Sequence, residues 1–367
     1  MNVLFIIPHL RKGGPVDVEF QLCKQYACDY RMHIEVMTLR EETASSKLND
    51  FSDLGIIVNQ LKIPYWKCEL NSKRIGKKIQ EYVDEHQIDI VHCHGYHPVL
   101  MCANLKRVKK VATMHDRATE DFINVFGKVI GKFMVHRYLS ALKRFDANIG
   151  VSNSVAELYQ LYIPHVTYVN NGIDINKFFP VDLSTRKELR ERLGLPLDKK
   201  IIVSSGRIEK EKHYEELIEW FVHSVKGESV VLLILGNGSR WEQCKDVAQG
   251  KENVILPGRV SNVDEYLKCS DYYISNSESE GMSLAVCEGI SCGLFPILSD
   301  IPSHRDVGSG VDGFFFKHLA EIHLDEIMKK TVDREHLCQY ISDSFSVNSM
   351  YNGYKELYQK LSDEKDG

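Results

Sequence analysis

The feature that most constrains the fold is an alternation: short, uninterrupted apolar runs return about every 20–40 residues, with amphipathic stretches between them. The apolar runs predict strands at 3–8, 33–38, 56–63, 88–92, 110–114, 147–151, 166–169, 200–205, 230–235, 254–257, 272–275 and 295–298. Helical spacing is clearest over 74–85, 215–225, 263–269 and 283–292. Uninterrupted apolar strands between amphipathic helices are typical of parallel sheets covered on both faces. The sequence therefore predicts an α/β protein with two doubly wound parallel sheets.

The length of 367 residues exceeds what one hydrophobic core usually serves, so we expect two domains. Asn170, Asn171 and Gly172 end a predicted strand, and a charged stretch of low apolarity follows them. We therefore divide the chain into domains 1–172 and 173–345. A last helix is predicted within 346–367, where one face carries Met350, Tyr354, Leu357, Tyr358 and Leu361.

Composition excludes several classes of protein. With 43% apolar and 26% charged residues, the chain is neither disordered nor fibrous. No apolar run reaches the about 18 residues of a membrane span, and we expect no signal peptide before the first strand. The ten cysteines lack CxxC pairs, which predicts reduced thiols and a cytoplasmic location.

The charge is unevenly spread along the chain. The net charge of −5 argues against nucleic acid as a partner. The first 172 residues carry +4 and the remainder carries −9. This asymmetry suggests that the two halves have different partners.

The loop after the first predicted strand contains paired glycines, Gly13 and Gly14, before an amphipathic stretch. Open parallel sheets bind ligands at the carboxyl ends of their strands, and glycine lets the backbone approach a ligand closely. A helix after these glycines would direct its first N–H groups at an anion. The alternative is an ordinary strand–helix turn.

Two cations follow the first predicted strand of the second half. Arg207 comes directly after Gly206, and Lys212 lies five residues beyond Arg207. Such a pair suits a diphosphate, whose negative charge needs neutralising. Glu209 and Glu211 lie between the two cations, so a solvated charged loop is an equal alternative from these residues alone.

The stretch 275–289 is the most informative. A strand passes into a polar loop, and a helix is predicted to begin near Gly281. The free N–H groups and the dipole of this helix would face the loop and attract an anion. Glu280 would lie at the start of the helix, with Glu288 two turns further on the same face. These carboxylates could accept hydrogen bonds from sugar or ribose hydroxyls; alternatively, Glu280 caps the helix and Glu288 is a surface charge.

The histidines of the first half raise the question of a metal. His92, Cys93 and His94 have the look of a metal cluster, but on a strand Cys93 points away from both histidines. No second group of ligands is spaced to complete a tetrahedral site, so we expect no metal there. His115, at the exit of the strand 110–114, is the better functional candidate, although a lone histidine is more often structural.

Several motifs are incomplete or missing. Gly236 and Gly238 lack the third glycine of a dinucleotide fingerprint and predict a tight turn. No Asp-x-Asp occurs that could hold magnesium on a diphosphate. Neither a Gly-x-Ser-x-Gly elbow nor a Walker loop is present, which argues against a hydrolase triad and an NTPase.

In their order and spacing, these segments resemble the retaining glycosyltransferases of family 4 over nearly the whole chain. The segments that carry the resemblance are Gly13-Gly14, Thr113-Met114-His115-Asp116, the strand within 145–154, Asn171-Gly172-Ile173-Asp174 with Phe178 and Pro180, Gly206-Arg207 with Lys212, Gly236-Asn237-Gly238, and the Glu-x7-Glu pair Glu280 and Glu288. The resemblance implies the GT-B fold of two facing Rossmann-like domains, with the last helix crossing back to the first domain.

The resemblance also implies roles for individual residues. The carboxyl-terminal domain would bind a nucleotide-sugar, with Arg207 and Lys212 on the diphosphate, Glu280 on the sugar and Glu288 on the ribose. The amino-terminal domain would carry the acceptor, with His115 at the edge of the donor sugar. The implied catalytic residues are thus Arg207, Lys212, Glu280 and His115. Further substrate contacts are implied for Gly13, Gly14, Gly206, Arg259, Val260, Gly281, Met282, Ser283 and Leu284, with the base against the loop 258–261. No cofactor and no metal are implied.

The implied reaction moves a sugar from a nucleotide-sugar, UDP in preference to GDP, to a hydroxyl of a glycan or lipid-linked saccharide. Bacterial surface polysaccharide biosynthesis is the expected setting. The sequence departs from the family in two places: His213 stands where many members have glycine, and Asp306 stands where Glu is frequent. Neither departure touches the two cations.

The chemistry agrees with these roles, because a departing diphosphate gains charge in the transition state and cations stabilise it. Retention through a covalent intermediate needs a carboxylate nucleophile, which the sequence does not clearly provide. We therefore expect same-face attack by the acceptor hydroxyl, with the leaving phosphate as base. Two alternatives are a non-hydrolysing nucleotide-sugar epimerase and a non-catalytic, two-lobed sugar-binding protein.

The basic surplus of the first half suggests peripheral contact with an anionic membrane at its inner face. The basic groups are Lys73, Arg74, Lys77 and Lys78, which lie with Ile75 and Ile79 on a predicted helix, and a second group of Lys106, Arg107, Lys109 and Lys110. An equal alternative is a pair of solvated helix faces.

Overall fold

A computed structural model describes residues 1–11, 13–43, 45–225 and 229–363 of the chain. It divides into two compact units. The first unit contains Met1–Gly172 together with the chain from Val347 onward, and the second contains Ile173–Ser346.

The first unit is built on a seven-stranded sheet in the order β3-β2-β1-β4-β5-β6-β7, and all neighbouring strands are parallel. Its strands are β1 (Asn2–Ile7), β2 (His33–Thr38), β3 (Ile57–Gln60), β4 (Ile90–His94), β5 (Lys109–Met114), β6 (Ala147–Gly150) and β7 (Val166–Tyr168). Its helices are α1 (Gly14–Ala27), α2 (Leu48–Asp53), α3 (Tyr65–Leu70), α4 (Ser72–Glu85), α5 (Tyr96–Cys102), α6 (Ala118–Leu142) and α7 (Asn153–Gln160).

The second unit is built on a six-stranded parallel sheet in the order β10-β9-β8-β11-β12-β13. Its strands are β8 (Lys200–Ser205), β9 (Val230–Leu235), β10 (Val254–Gly258), β11 (Tyr272–Ser275), β12 (Phe295–Ser299) and β13 (Phe314–Phe316). Its helices are α8 (Leu183–Leu193), α9 (Tyr214–Ser224), α10 (Trp241–Ala248), α11 (Val263–Lys268), α12 (Leu284–Ser291), α13 (Pro302–Gly308), α14 (Leu324–Ile327) and α15 (Arg334–Phe345), with 3-10 turns at Lys210–Lys212 and Leu319–Glu321.

The two predicted doubly wound sheets are confirmed, because each has apolar parallel strands joined through helices. The central strands are buried along their length: Phe5 and Val91 in the first sheet and Ile202 and Ile274 in the second are fully inaccessible to solvent. In each sheet the chain order reverses between two central neighbours, β1 and β4 in the first unit and β8 and β11 in the second. Ligands of doubly wound sheets bind at this reversal, outside the carboxyl ends of the strands.

The last helix, α16 (Val347–Asp363), belongs to the first unit. Its buried Tyr354 hydroxyl lies 2.9 Å from the Thr113 hydroxyl, and Tyr358 lies 2.6 Å from the Nδ1 atom of His92. These contacts fix the helix against β4 and β5. Over the described residues, no helix combines the length and apolarity needed to cross a bilayer.

Candidate functional site

The loops that follow β8 and β11 meet at the carboxyl edge of the second sheet. These strands are neighbours, so the segment 206–213 lies beside the segment 276–283. The backbone N–H of Glu278 donates to the carbonyl of Glu211 at 2.9 Å, and the Asn276 amide donates to the carbonyl of His213 at 3.4 Å. The fold therefore brings together two segments that the sequence analysis had singled out separately.

Arg207 and Lys212 differ in how they are held. Lys212 ends the 3-10 turn, and its Nζ atom lies 2.8 Å from Oε1 of Glu280, with 21% of the side chain exposed. Arg207 is exposed, and in the described part of the chain no ion pair holds its guanidinium. The edge thus offers one oriented cation and one that is free to follow a ligand.

Glu280 is nearly enclosed, with 11% of its side chain exposed. Burial raises the pKa of its carboxyl, but His304 and Lys212 outweigh burial and hold the pKa below the usual range for glutamate. His304 is fully buried on α13, and its Nε2 atom lies 3.7 Å from Oε1 of Glu280. Its Nδ1 atom lies 2.9 Å from the carbonyl of Ser299. Glu280 is therefore a fixed anion that is paired with the ammonium group of Lys212.

The helix after this loop begins later than predicted. The structure starts α12 at Leu284, with Ser283 as the residue before its first turn, so Gly281, Met282 and Ser283 precede the helix. Met282 and Ser283 are buried, whereas Gly281 and Leu284 are partly exposed. Glu280 consequently does not share a helix face with Glu288, which is half-buried in the second turn of α12. The expectation of one common face was wrong because the polar loop extends three residues further.

The glycines after β9 act through close backbone contacts. A Cβ atom on Gly236 would lie 1.9 Å from the carbonyl oxygen of Gly206, and one on Gly238 would lie 2.2 Å from that of Ile208. The N–H of Ile208 also donates to the carbonyl of Asn237 at 3.0 Å. The turn therefore supports the segment that carries Arg207. The next loop along this edge follows β10, where Arg259 is exposed and Val260 half-buried.

His213, one of the two departures from the family pattern, occupies a left-handed backbone conformation with φ of 50° and ψ of 43°. Glycine adopts this conformation without strain, which explains why glycine suits the position. Here the imidazole bridges two carboxylates, with Nδ1 at 2.9 Å from Glu216 and Nε2 at 3.2 Å from Glu278. These contacts offset the strain of a non-glycine residue.

In the first unit, the paired glycines lie between β1 and α1. Gly13 has an extended backbone with φ of 170°, Gly14 begins α1, and a Cβ atom on either would meet nothing within 4 Å. The space next to the α-carbons of these two glycines is therefore open. Lys12, which precedes them, lies outside the described residues.

His115 lies just beyond β5, where its Nε2 atom is 2.9 Å from Nδ1 of His94. His94 in turn lies 2.9 Å from Oε1 of Glu19, a buried residue of α1. The ring of His92 packs against that of His94, with 4.3 Å between the ring centroids, but its two nitrogens are bonded to Tyr358 and Thr113.

Sequence reasoning missed two residues of these sites, Glu19 and His304. Neither belongs to a motif, and each reaches its site only through the packing of a helix on the sheet. A charged residue at an inward position of the amphipathic α1 was the one available signal for Glu19.

Comparisons with known proteins agree with this architecture. The family described as Glycosyl transferases group 1 matches residues 185–344, and Glycosyltransferase Family 4 matches residues 32–177. The N-acetyl-alpha-D-glucosaminyl L-malate synthase of Bacillus anthracis is 24% identical over 80% of this chain and 80% of its own. The UDP-Gal:alpha-D-GlcNAc-diphosphoundecaprenol alpha-1,3-galactosyltransferase of Escherichia coli is 24% identical over 76% of this chain and 77% of its own.

Among solved structures, Anabaena HepE in complex with UDP is similar with a TM-score of 0.81. The similarity covers 98% of this chain and 100% of that one at 16% identity, which supports the fold alone. The predicted GT-B fold is confirmed. Because the two family matches together span most of both units, the chain is a glycosyltransferase and belongs to glycosyltransferase family 4.

Proposed function

We propose that this glycosyltransferase moves a sugar from a nucleotide-sugar, UDP-linked in preference to GDP-linked, to a hydroxyl of a glycan or lipid-linked saccharide. The observation that carries the proposal is the pair Arg207 and Lys212 at the chain reversal of the second sheet. The similar E. coli enzyme is named for UDP-Gal and a diphosphoundecaprenol-linked GlcNAc, and HepE was solved with UDP. Bacterial surface polysaccharide biosynthesis is the setting that we propose.

We assign the diphosphate to Arg207 and Lys212. As the bond between the anomeric carbon and the phosphate oxygen breaks, negative charge gathers on the leaving diphosphate, and fixed cations stabilise that charge. Lys212 is oriented before any ligand binds, since Glu280 holds its ammonium group at 2.8 Å. Two side-chain cations can neutralise a diphosphate, and we propose that no metal ion is needed on it.

We assign the sugar to Glu280 and the backbone amides of residues 281–284. Glu280 stays ionised, because Lys212 and His304 stabilise its charge, and an ionised carboxylate accepts hydrogen bonds from sugar hydroxyls. Glu288 is assigned to the ribose, and the loop with Arg259 and Val260 to the base.

We propose that the reaction retains the anomeric configuration through same-face attack. The acceptor oxygen forms the new bond to the anomeric carbon while the phosphate oxygen leaves, and the acceptor proton passes to that phosphate oxygen. Glu280, the one enclosed carboxylate that we assign near the sugar, is already paired with Lys212, which disfavours it as a nucleophile. His115, with Gly13 and Gly14, is assigned to the unit that carries the acceptor.

The test is incubation with a panel of nucleotide-sugars and saccharide acceptors, scored by released nucleotide and by NMR of the product. We expect acceptor-dependent release from a UDP-sugar and an axial or equatorial linkage that matches the donor. An inverted product would contradict the proposed retention. An epimerised nucleotide-sugar formed without acceptor would favour the epimerase alternative, and binding without turnover would favour the non-catalytic one.

Membrane contact, which was predicted from basic clusters, needs a different surface from the one expected. Lys73, Arg74, Lys77 and Lys78 of α4 are exposed, but Ile75 and Ile79 between them are buried at 6% and 0% exposure. The expectation that these two isoleucines accompany the charges at a lipid surface was wrong, because they pack into the core. The basic face of α4 therefore presents charge without apolar area.

The exposed apolar area lies on α6 instead. Gly127, with φ of 76°, breaks this helix, and Gly131 lets the two arms approach so closely that a Cβ atom there would lie 2.4 Å from the Phe122 carbonyl oxygen. The apolar tip consists of Val125, Phe126, Val129, Ile130 and Phe133, which are 41–85% exposed. Lys128 and Lys132 lie on the same turns. Large exposed apolar side chains beside lysines suit the surface of an anionic bilayer.

We therefore propose that the apolar tip is the membrane-contacting surface and that the enzyme works at the inner face of the membrane. Val129→Glu with Ile130→Glu should abolish sedimentation with vesicles that contain anionic lipid. Leu161→Glu, at a residue of the same unit that is 76% exposed, is the matched control and should leave sedimentation unchanged. Equal sedimentation of the tip variant and wild type, or no sedimentation of wild type at low salt, would contradict the proposal.

A further inference from the structure

A second cluster of chemistry-bearing residues lies at the carboxyl edge of the first sheet. Glu19 comes from the second turn of α1, His94 ends β4, and His115 follows β5 by one residue. Because β1 and β4 are neighbours, α1 and the end of β4 meet at the reversal of chain order. This is the position at which doubly wound sheets bind ligands.

Three ligand atoms converge at this edge. Nδ1 of His94 lies 2.9 Å from Oε1 of Glu19 and 2.9 Å from Nε2 of His115, and the latter two atoms are 3.5 Å apart. The point equidistant from all three lies about 1.8 Å from each atom. Zinc binds imidazole nitrogen and carboxylate oxygen at about 2.0–2.2 Å. An ion at that distance from all three would therefore lie just outside their plane.

Hydrogen bonding alone does not satisfy this arrangement. A proton on Nδ1 of His94 can point at Glu19 or at His115. A proton on Nε2 of His115 would point into the same space between the three side chains. In the residues that the structure describes, Oε2 of Glu19, Nε2 of His94 and Nδ1 of His115 also have no hydrogen-bond partner. These three atoms are the second polar atoms of each side chain and not the ones that converge, so the convergence of Oε1, Nδ1 and Nε2 is what indicates a ligand.

The charge balance of the cluster supports a cation. Glu19 is 2% exposed, and its ion-pair partners in the described parts of the chain are these two imidazoles, with no lysine or arginine among them. A buried carboxylate without a permanent counter-charge is costly. A divalent ion bound to all three side chains would neutralise it while leaving both imidazoles neutral.

We propose that Glu19, His94 and His115 bind a divalent transition-metal ion, with zinc as the best match. Two imidazoles and one carboxylate form a ligand set that zinc uses in proteins, and three protein ligands on one side leave coordination positions open. His115 is the most exposed of the three at 13%, so the open side is reached past its ring. A water molecule or an oxygen atom of a ligand would complete the coordination.

The neighbouring histidine does not compete for the ion. Both ring nitrogens of His92 are bonded to hydroxyl groups of Tyr358 and Thr113. The two histidines of the His-x-His sequence on β4 therefore have different roles. His92 connects the last helix to the sheet, and His94 faces the proposed metal site. Sequence spacing alone suggested a ligand set from one strand, whereas the fold assembles it from three elements.

The first experiment measures metal content. Untagged protein, purified and dialysed against metal-free buffer, should hold about one zinc per chain by mass spectrometry, or take up one equivalent on titration after chelation. Cobalt in place of zinc should give a visible absorption band that differs from that of the aqueous ion. The proposal would be overturned if the purified protein held no zinc above background and the chelated protein showed no saturable uptake.

Variants identify the ligands. Glu19→Gln keeps the shape of the side chain and should lower zinc affinity at least tenfold, and His94→Gln should do the same, whereas exposed His136→Gln is the matched control. Zinc should raise the melting temperature of wild type and of the control, but not of the two variants. Unchanged affinity in both ligand variants would refute the assignment even if zinc binds. The UDP affinity of the second unit should be the same in all four proteins, so this test is independent of the proposed donor site.

Discussion

The carboxyl edges of the two sheets occupy the same topological position but carry opposite kinds of site. In the first unit, Glu19 and His94 are nearly inaccessible and surround a space lined by a carboxylate and imidazoles. In the second, Arg207 is exposed and Lys212 is partly so. The first edge suits a small cation and the second suits a large anion. Strand order therefore fixes where a ligand binds, while the residue types at the strand exits decide its charge.

The largest expected effect tests the cationic edge. Arg207→Ala and Lys212→Ala should each lower turnover by about 10²-fold or more, because each removes a charge that stabilises the departing diphosphate. Lys210→Ala is the control, since Lys210 lies on the same 3-10 turn, is exposed and has no ion pair in the described chain. Steady-state kinetics with a saturating acceptor provides the measurement. Activity within a few-fold of wild type in both variants would remove these residues from the mechanism.

Substitutions of Glu280 and Glu288 in the second unit should affect different steps of the reaction. Glu288→Ala should weaken binding of UDP about tenfold, since a hydrogen bond to a charged group contributes about 1.5–3 kcal/mol. Glu280→Gln should leave UDP affinity within a few-fold and mainly lower the rate of sugar transfer. Calorimetry with UDP and initial rates with the donor distinguish the two. An unchanged UDP affinity in Glu288→Ala would mean that the ribose is held elsewhere.

The glycine loops of the two units differ in how tightly they are packed. Gly236→Ala should lower the free energy of unfolding by about 1–3 kcal/mol, because the added methyl group collides with the Gly206 carbonyl. Gly14→Ala should change it by less than about 0.5 kcal/mol, since nothing lies within 4 Å of the added atom. Urea unfolding of both variants makes the comparison. Equal losses would show that the first loop is as constrained as the second.

The smallest effect concerns His213 and pH. Burial lowers the pKa of His213, but the carboxylates of Glu216 and Glu278 outweigh burial and raise the pKa above its usual value of 6.5. The ion pairs therefore stabilise the fold fully below pH 6.5 and lose this contribution as pH rises through the raised pKa. His213→Gly should be less stable than wild type by under about 1 kcal/mol near pH 6, because both carboxylates are exposed, and the gap should shrink near pH 9. A gap that widens with pH would contradict this account.

Much of the fold follows from local patterns, and the misses have physical causes. β8 and β9 are predicted from their apolar runs alone, because short uninterrupted runs such as the six apolar residues of β9 are typical of buried strands in a parallel sheet. β13 was not predicted, since its three residues, Phe314–Phe316, are too few to carry a period. The pairing of Glu280 with His304 depends on α13 folding back over β12, which no spacing along the chain encodes.

The central claim is that the second unit binds a nucleoside diphosphate through side-chain cations without a metal ion. Calorimetric titration of UDP into wild type, Arg207→Ala and Lys210→Ala, each with EDTA or with added magnesium, tests it most directly. We predict that Arg207→Ala binds UDP at least tenfold more weakly, that Lys210→Ala binds it like wild type, and that neither EDTA nor magnesium changes the affinity. Equal affinity in wild type and Arg207→Ala, or binding that requires magnesium, would contradict the claim.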